Sequence, residues 1–130
     1  MKILVGYDSS NVAKEALKVA RRHARAFGAS VEIVTSMETG TEGEQRAIDD
    51  AERGLGWAKS VFDEKGIPCK THLLIRGMSP GEDLVQFARE HQVDEIVVGV
   101  KRRSKVEKIL MGSTAQYVVL QASCPVVSVK

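Results

Sequence analysis

Apolar positions along this chain follow two alternating rhythms. "KILVGY" is a short, nearly continuous apolar run closed by Asp8-Ser9-Ser10. Such a run suits a strand covered on both faces. Ser9 or Ser10 is then placed to cap a helix. In that helix Ala13, Ala16, Leu17, Ala20, Ala24 and Phe27 recur at helical spacing, with Lys14, Lys18, Arg21, Arg22 and Arg25 on the other side. Gly28 is the expected stop. "SVEIVTSM" reads as a second strand. The polar stretch "TGTEGEQ" reads as a loop into a longer helix through Lys65, punctuated by Gly66 and Pro68. "CKTHLLIR" is the third strand. In "SPGEDLVQFAREH", Ser79 stands at the cap, Pro80 at the first helical position and Glu82 three residues after the cap, which predicts a capping box. "DEIVVGV" is the fourth strand. A helix from Ser113 to about Ala122 follows, and Pro125 introduces a last strand, "VVSVK".

Strand and helix alternate without a long linker, a repeat or a low-complexity run. This order predicts right-handed crossovers and an α/β fold: one domain over residues 1–130, with an open parallel five-stranded sheet and helices on both faces. In such sheets ligands bind beyond the carboxyl ends of the strands, where strand order reverses. The positions to inspect are Tyr7-Asp8-Ser9, Ser36-Met37, Ile75-Arg76-Gly77 and Gly99 onward.

Composition narrows the function classes. The 130 residues are 43% hydrophobic and 28% charged, ordinary for a soluble globular domain. A net charge of +2 is too small for a dedicated nucleic-acid binder. The basic stripe of the first helix has no aromatic platform beside it, so no nucleic-acid partner is expected. The apolar run in "MKILVGYDSS" is too short for a signal peptide or a membrane span, which predicts a cytoplasmic protein with no membrane partner. Cys69 and Cys124 stand far apart, with no CxxC pairing, and read as buried thiols. His23, His72 and His91 lie on different elements without ligand spacing, so no metal site is expected. There is no Walker phosphate loop, no G-x-G-x-x-G after the first strand, no H-E-x-x-H and no G-x-S-x-G. "GLGWAK" at Gly54 falls inside a helical stretch and lacks the third glycine. No catalytic residues stand out.

One stretch still carries chemistry, "VVGVKRRSKVEKILMGSTAQ", Val97 to Gln116. Gly112-Ser113-Thr114 opens a helix, where the first amides lack internal partners and the dipole favours an anion. Gly112 allows a phosphate close to the backbone, and Ser113 and Thr114 add hydroxyl donors. Gly99 offers similar access from the opposite side. Lys101, Arg102, Arg103, Lys105 and Lys108 would add a positive field that attracts polyphosphate. The plainer reading is that Gly112 turns the chain, Ser113 caps the helix and the basic residues form a solvated loop.

The segments "ILVGYDSSNVAKEALKVA" and "VVGVKRRSKVEKILMGSTAQYVVLQASCPVVSV" resemble the universal stress protein family, and the likeness runs over essentially the whole chain. The resemblance implies an adenine nucleotide alpha-hydrolase-like fold with strand order 3-2-1-4-5. It implies a small stress-response regulatory protein that binds ATP or another adenine nucleotide, with or without Mg. Nucleotide-binding members carry Gly, two residues, Gly, nine residues, then Gly and Ser or Thr. Gly99 matches the first position, and Gly112 and Ser113 match the last two. By resemblance Asp8 contacts the ribose, the backbone near Ser36 faces the adenine, and Gly112, Ser113 and Thr114 hold phosphates.

Arg102 occupies the middle glycine position. It either fills the phosphate space or, with Arg103, offers a forked donor to the phosphates. The departure keeps a second class open, a dimeric protein-interaction module without nucleotide. An enzyme is weakly supported, with at most slow ATP hydrolysis, because no general base or metal set is visible. "PVVSVK" would form an exposed apolar sheet edge, which predicts a homodimer through the C-terminal strand, and the resemblance points the same way. Other protein partners are not indicated.

Overall fold

A computed structural model describes residues 1–38, 44–100 and 111–130. Among them are five strands and four helices in strict alternation: β1 Lys2–Gly6, α1 Asn11–Phe27, β2 Ser30–Met37, α2 Glu44–Asp63, β3 Cys69–Ile75, α3 Pro80–Glu90, β4 Glu95–Gly99, α4 Ser113–Gln121 and β5 Val126–Val129. The strands form one sheet in the order β3-β2-β1-β4-β5. All four pairings are parallel. The expected architecture is therefore the observed one.

The apolar runs explain the layering. Successive side chains of a strand point to opposite faces. Ile3 and Val5 face one core with α1 and α2, while Leu4 faces a second core with α3 and α4. All three are fully buried, so the middle of β1 is apolar at successive positions rather than at every second one. Ala13, Ala16, Leu17, Ala20 and Ala24 form the buried stripe of α1. The small side chains of its four alanines bring α1 close to the sheet.

The helix ends follow local chemistry. Of the two serines before α1, Ser10 is the cap, its Oγ accepting from the Ala13 amide at 3.2 Å. Gly28 ends α1 in the left-handed conformation at φ 62°. Phe27 departs from expectation. It is 57% exposed, because Gly28 stops the helix there and the ring lies edge-on to His23, with centroids 5.7 Å apart. At Ser79 the capping box is incomplete. Its hydroxyl donates to Glu82 Oε1 at 2.8 Å and makes no bond to a helix amide.

Two buried carboxylates sit near the starts of their strands. Glu32 accepts from His72 Nε2 at 2.9 Å, and Glu95 is bonded to His23 Nδ1 at 3.0 Å. The histidines thus have structural partners, and no group of metal-ligating side chains occurs among the described residues. No helix among them is long and apolar enough to cross a membrane.

Two of the three phenylalanines, Phe62 and Phe27, give a direct test of this layering. Phe62 is fully buried between α2 and the sheet, so Phe62→Ala should lower unfolding free energy by about 3–5 kcal/mol. Phe27→Ala should change it by less than about 0.5 kcal/mol. Urea midpoints of the two variants check both.

Candidate functional site

At the carboxyl ends of β1 and β4, where strand order reverses, the surface opens into a cleft of about 260 Å³. Asp8, Ser36, Gly99, Gly112, Ser113 and Thr114 all line it. These are six of the eight positions singled out in the sequence. The other two, Arg102 and Arg103, lie outside the described residues, as do Lys101, Lys105 and Lys108. Val12, Val34, Leu84 and Val98 supply apolar walls. The end of β3 was also flagged by the strand-end rule, but Arg76 turns back onto α3 instead.

Three helices begin around this cleft, and their first turns differ in charge. At α1 the Ser10 hydroxyl already bonds the Ala13 amide. The first turn of α3 carries Glu82 and Asp83, which offset the positive end of its dipole. The first turn of α4 carries no acidic residue, and Gly112 at its cap makes no side-chain bond to it. With no acid in its first turn and no side-chain cap bond among the described residues, α4 is the best anion seat of the three. Gly112 has φ −61° and ψ 157°, a conformation open to any residue. Backbone conformation therefore does not demand glycine there, whereas a close approach from the cleft would.

The loop after β1 presents Asp8. Its Oδ1 accepts from the Ser10 amide at 3.0 Å, an Asx-type turn. Thr35 donates to the Tyr7 carbonyl at 2.7 Å, tying this loop to β2. Ser9 between them takes the left-handed conformation at φ 65°. Burial pushes the Tyr7 phenol up, with Asp8 adding to the shift and the Ser9 hydroxyl opposing it.

Gly99 has a reason to be glycine that its sequence context did not reveal. A Cβ there would stand 2.9 Å from the backbone oxygen of Val12 and 2.9 Å from Val12 Cγ1. The end of β4 and the start of α1 approach so closely that no side chain fits between them. This packing contact fixes the residue whether or not a ligand binds.

Beneath the cleft lies a polar network that the sequence reading missed. Asp83 is fully buried. It accepts from the Ser36 hydroxyl at 2.7 Å and from Arg76 Nε at 2.7 Å. Arg76 also reaches Glu90 at 2.8 Å. The bonds to Glu90 and Asp83 push its guanidinium above its ordinary range. A buried carboxylate requires such partners, and here they join the ends of β2 and β3 to α3. Asp83 was hidden in the sequence because an acid in a helix's first turn reads as dipole compensation. Only its contacts distinguish it.

The two thiols take no part in the cleft. Burial pushes the Cys69 thiol up to about 12, leaving almost no thiolate at neutral pH. Neither Cys69 nor Cys124 lines the cleft. What remains is an apolar slot with a hydrogen-bonded carboxylate on one wall and an anion-favouring helix start on another.

A doubly wound α/β domain with a cleft at its topological switch point belongs to the class that seats small ligands at strand ends. The profile of the universal stress protein family matches residues 1–130, and the chain belongs to that family. It is 35% identical over 134 residues to a universal stress protein of Thermus aquaticus, covering 98% of this chain and 97% of the relative. A universal stress protein structure from Archaeoglobus fulgidus is 37% identical, with a TM-score of 0.91, covering 100% of this chain and 98% of the other. A universal stress protein structure from Archaeoglobus fulgidus in complex with dAMP is 34% identical, with a TM-score of 0.85 and the same two coverages.

The Gly99 contact predicts a stability effect independent of any ligand. Because the opposing atoms include backbone, Gly99→Ala should destabilise the protein by about 1–3 kcal/mol. A urea midpoint equal to the wild type's would show that α1 yields freely at this point.

Proposed function

We propose that this protein binds an adenine nucleotide in the cleft and acts as a small cytoplasmic stress-response regulator rather than as an enzyme. The observation that carries the reading is the pairing, across one cleft, of the Asp8 carboxylate with the uncompensated start of α4. A nucleotide needs both ends served. Its ribose hydroxyls donate, and Asp8 can accept; its phosphates accept, and the amides and hydroxyls at Gly112, Ser113 and Thr114 can donate. The base would rest between Val34, Leu84 and the backbone near Ser36. The relative in complex with dAMP supports the same ligand class. ATP, ADP and AMP share these recognition features, and Mg would accompany the longer phosphate chains.

Calorimetric titration of wild type with ATP, ADP and AMP tests the reading, together with ion-exchange analysis of nucleotide released from heat-denatured protein. Gly112→Val should abolish binding. Valine is compatible with the backbone at that position, so the loss reports the space that the phosphates occupy. Asp8→Ala should weaken binding roughly tenfold without unfolding the protein, the scale of one hydrogen bond to a charged group. Absence of binding at millimolar nucleotide would overturn the reading.

We also propose that the protein is a homodimer through β5. That strand is last in the sheet order and pairs with β4 alone among the described strands. Beside it, α4 exposes Val119 and Leu120, the latter by 69%. An open strand edge next to apolar surface is suited to pairing with a second copy. Light scattering should give twice the monomer mass at micromolar concentration, and Leu120→Asp should shift the mass toward monomer. A monomeric wild type refutes the proposal.

A further inference from the structure

We infer that Gly54 of α2, a residue that does not line the cleft, is a positioning residue for Asp8. It forms the notch that seats Ser9, and the seated Ser9 sets the loop on which Asp8 is presented. The binding half of this inference rests on the nucleotide reading of Asp8.

Three observations converge on this notch. First, Ser9 adopts φ 65°, a region that a residue with a Cβ avoids unless its surroundings hold it there. Second, α2 comes so close that a Cβ on Gly54 would stand 2.5 Å from Ser9 Oγ and 3.6 Å from Tyr7 Cε2. Third, α2 contains another glycine two residues on, and a Cβ on Gly56 would meet nothing within 4 Å. Glycine is unfavourable inside a helix. At position 54 a side chain would force the Ser9 hydroxyl to move, whereas at position 56 it would meet nothing.

The lever arm from Ser9 to the cleft is one residue on each side. Asp8 and Ser10 both line the cleft, and the bond from the Ser10 amide to Asp8 Oδ1 spans Ser9 at 3.0 Å. An alanine at position 54 would displace the Ser9 hydroxyl from its seat. Rotation of Ser9 relieves the overlap, but on this inference it also takes the Ser9 hydroxyl out of the notch beside Gly54. The turn carrying Asp8 relaxes, although α2 itself gains a better helix former.

The test compares Gly54→Ala, Gly56→Ala and the double variant Ser9→Gly/Gly54→Ala, each read in two ways. Hydrogen exchange of the Ser10 amide reports the turn without ligand, and calorimetry with AMP reports binding. In Gly54→Ala the Ser10 amide should lose protection and AMP affinity should fall roughly tenfold, while the unfolding midpoint holds or rises. Gly56→Ala should raise the midpoint and leave both readouts unchanged. Ser9→Gly should restore both readouts in the Gly54→Ala background, because glycine takes the left-handed conformation freely and leaves the notch empty. A merely structural role for Gly54 predicts no such rescue. Wild-type protection of the Ser10 amide in Gly54→Ala, or failure of the double variant to recover it, overturns the inference. If wild type binds no AMP, the nucleotide reading and the binding half of this inference fall together. The exchange data then still decide whether Gly54 sets the turn at Asp8.

Discussion

Burial of β1 on both faces is the constraint from which the rest of the molecule follows. Ile3, Leu4 and Val5 are each fully shielded, by α1 and α2 on one side and by α3 and α4 on the other. A strand so enclosed cannot carry a polar group along its length without a buried partner. Polar chemistry is therefore pushed to the strand ends. At the carboxyl end the chain emerges as Tyr7-Asp8-Ser9-Ser10, and the neighbouring β4 emerges beside it at Gly99. The connection after β1 goes to one side and the connection after β4 to the other, so the two ends part and leave the cleft between them.

The architecture was legible in the sequence because this constraint writes itself into residue order. Continuous apolar runs marked the strands, the alanine stripe marked α1, and Gly28 marked its end. The cleft was legible because strand-end position and a glycine-serine helix start are both local signals. Contacts between distant segments were not. Asp83 looks like any first-turn acid, and only the fold brings Ser36 and Arg76 to it. Phe27 fits the apolar period of α1, yet it lies on the last turn, beyond the reach of the core. At Ser79 the residue types of a capping box are present, but the hydroxyl bonds the Glu82 carboxylate instead of an amide. A pattern of residue types does not decide whether a hydroxyl accepts from a helix amide or donates to a nearby carboxylate.

Glycines show the same limit more sharply. Gly28 could be understood from its neighbours, since it ends a helix in a left-handed conformation. Gly99 could be placed at a strand end, but its contact with the Val12 backbone depends on an element nearly ninety residues earlier in the chain. Gly81 is similar, because a Cβ there would stand 2.8 Å from Tyr117 Cβ, where α3 and α4 cross. Such glycines set distances between elements. Nothing in their immediate sequence announces which element approaches.

The unequal charge of the helix starts gives the cleft a direction. The first turn of α3 carries Glu82 and the Arg76-paired Asp83, which offset its dipole, whereas the first turn of α4 carries no acid and favours an anion. A molecule with one anionic end and one uncharged end is oriented by this field before any specific bond forms. The anion-favouring helix start lies on one side of the cleft only, so the charge of a ligand would decide which way round it lies there.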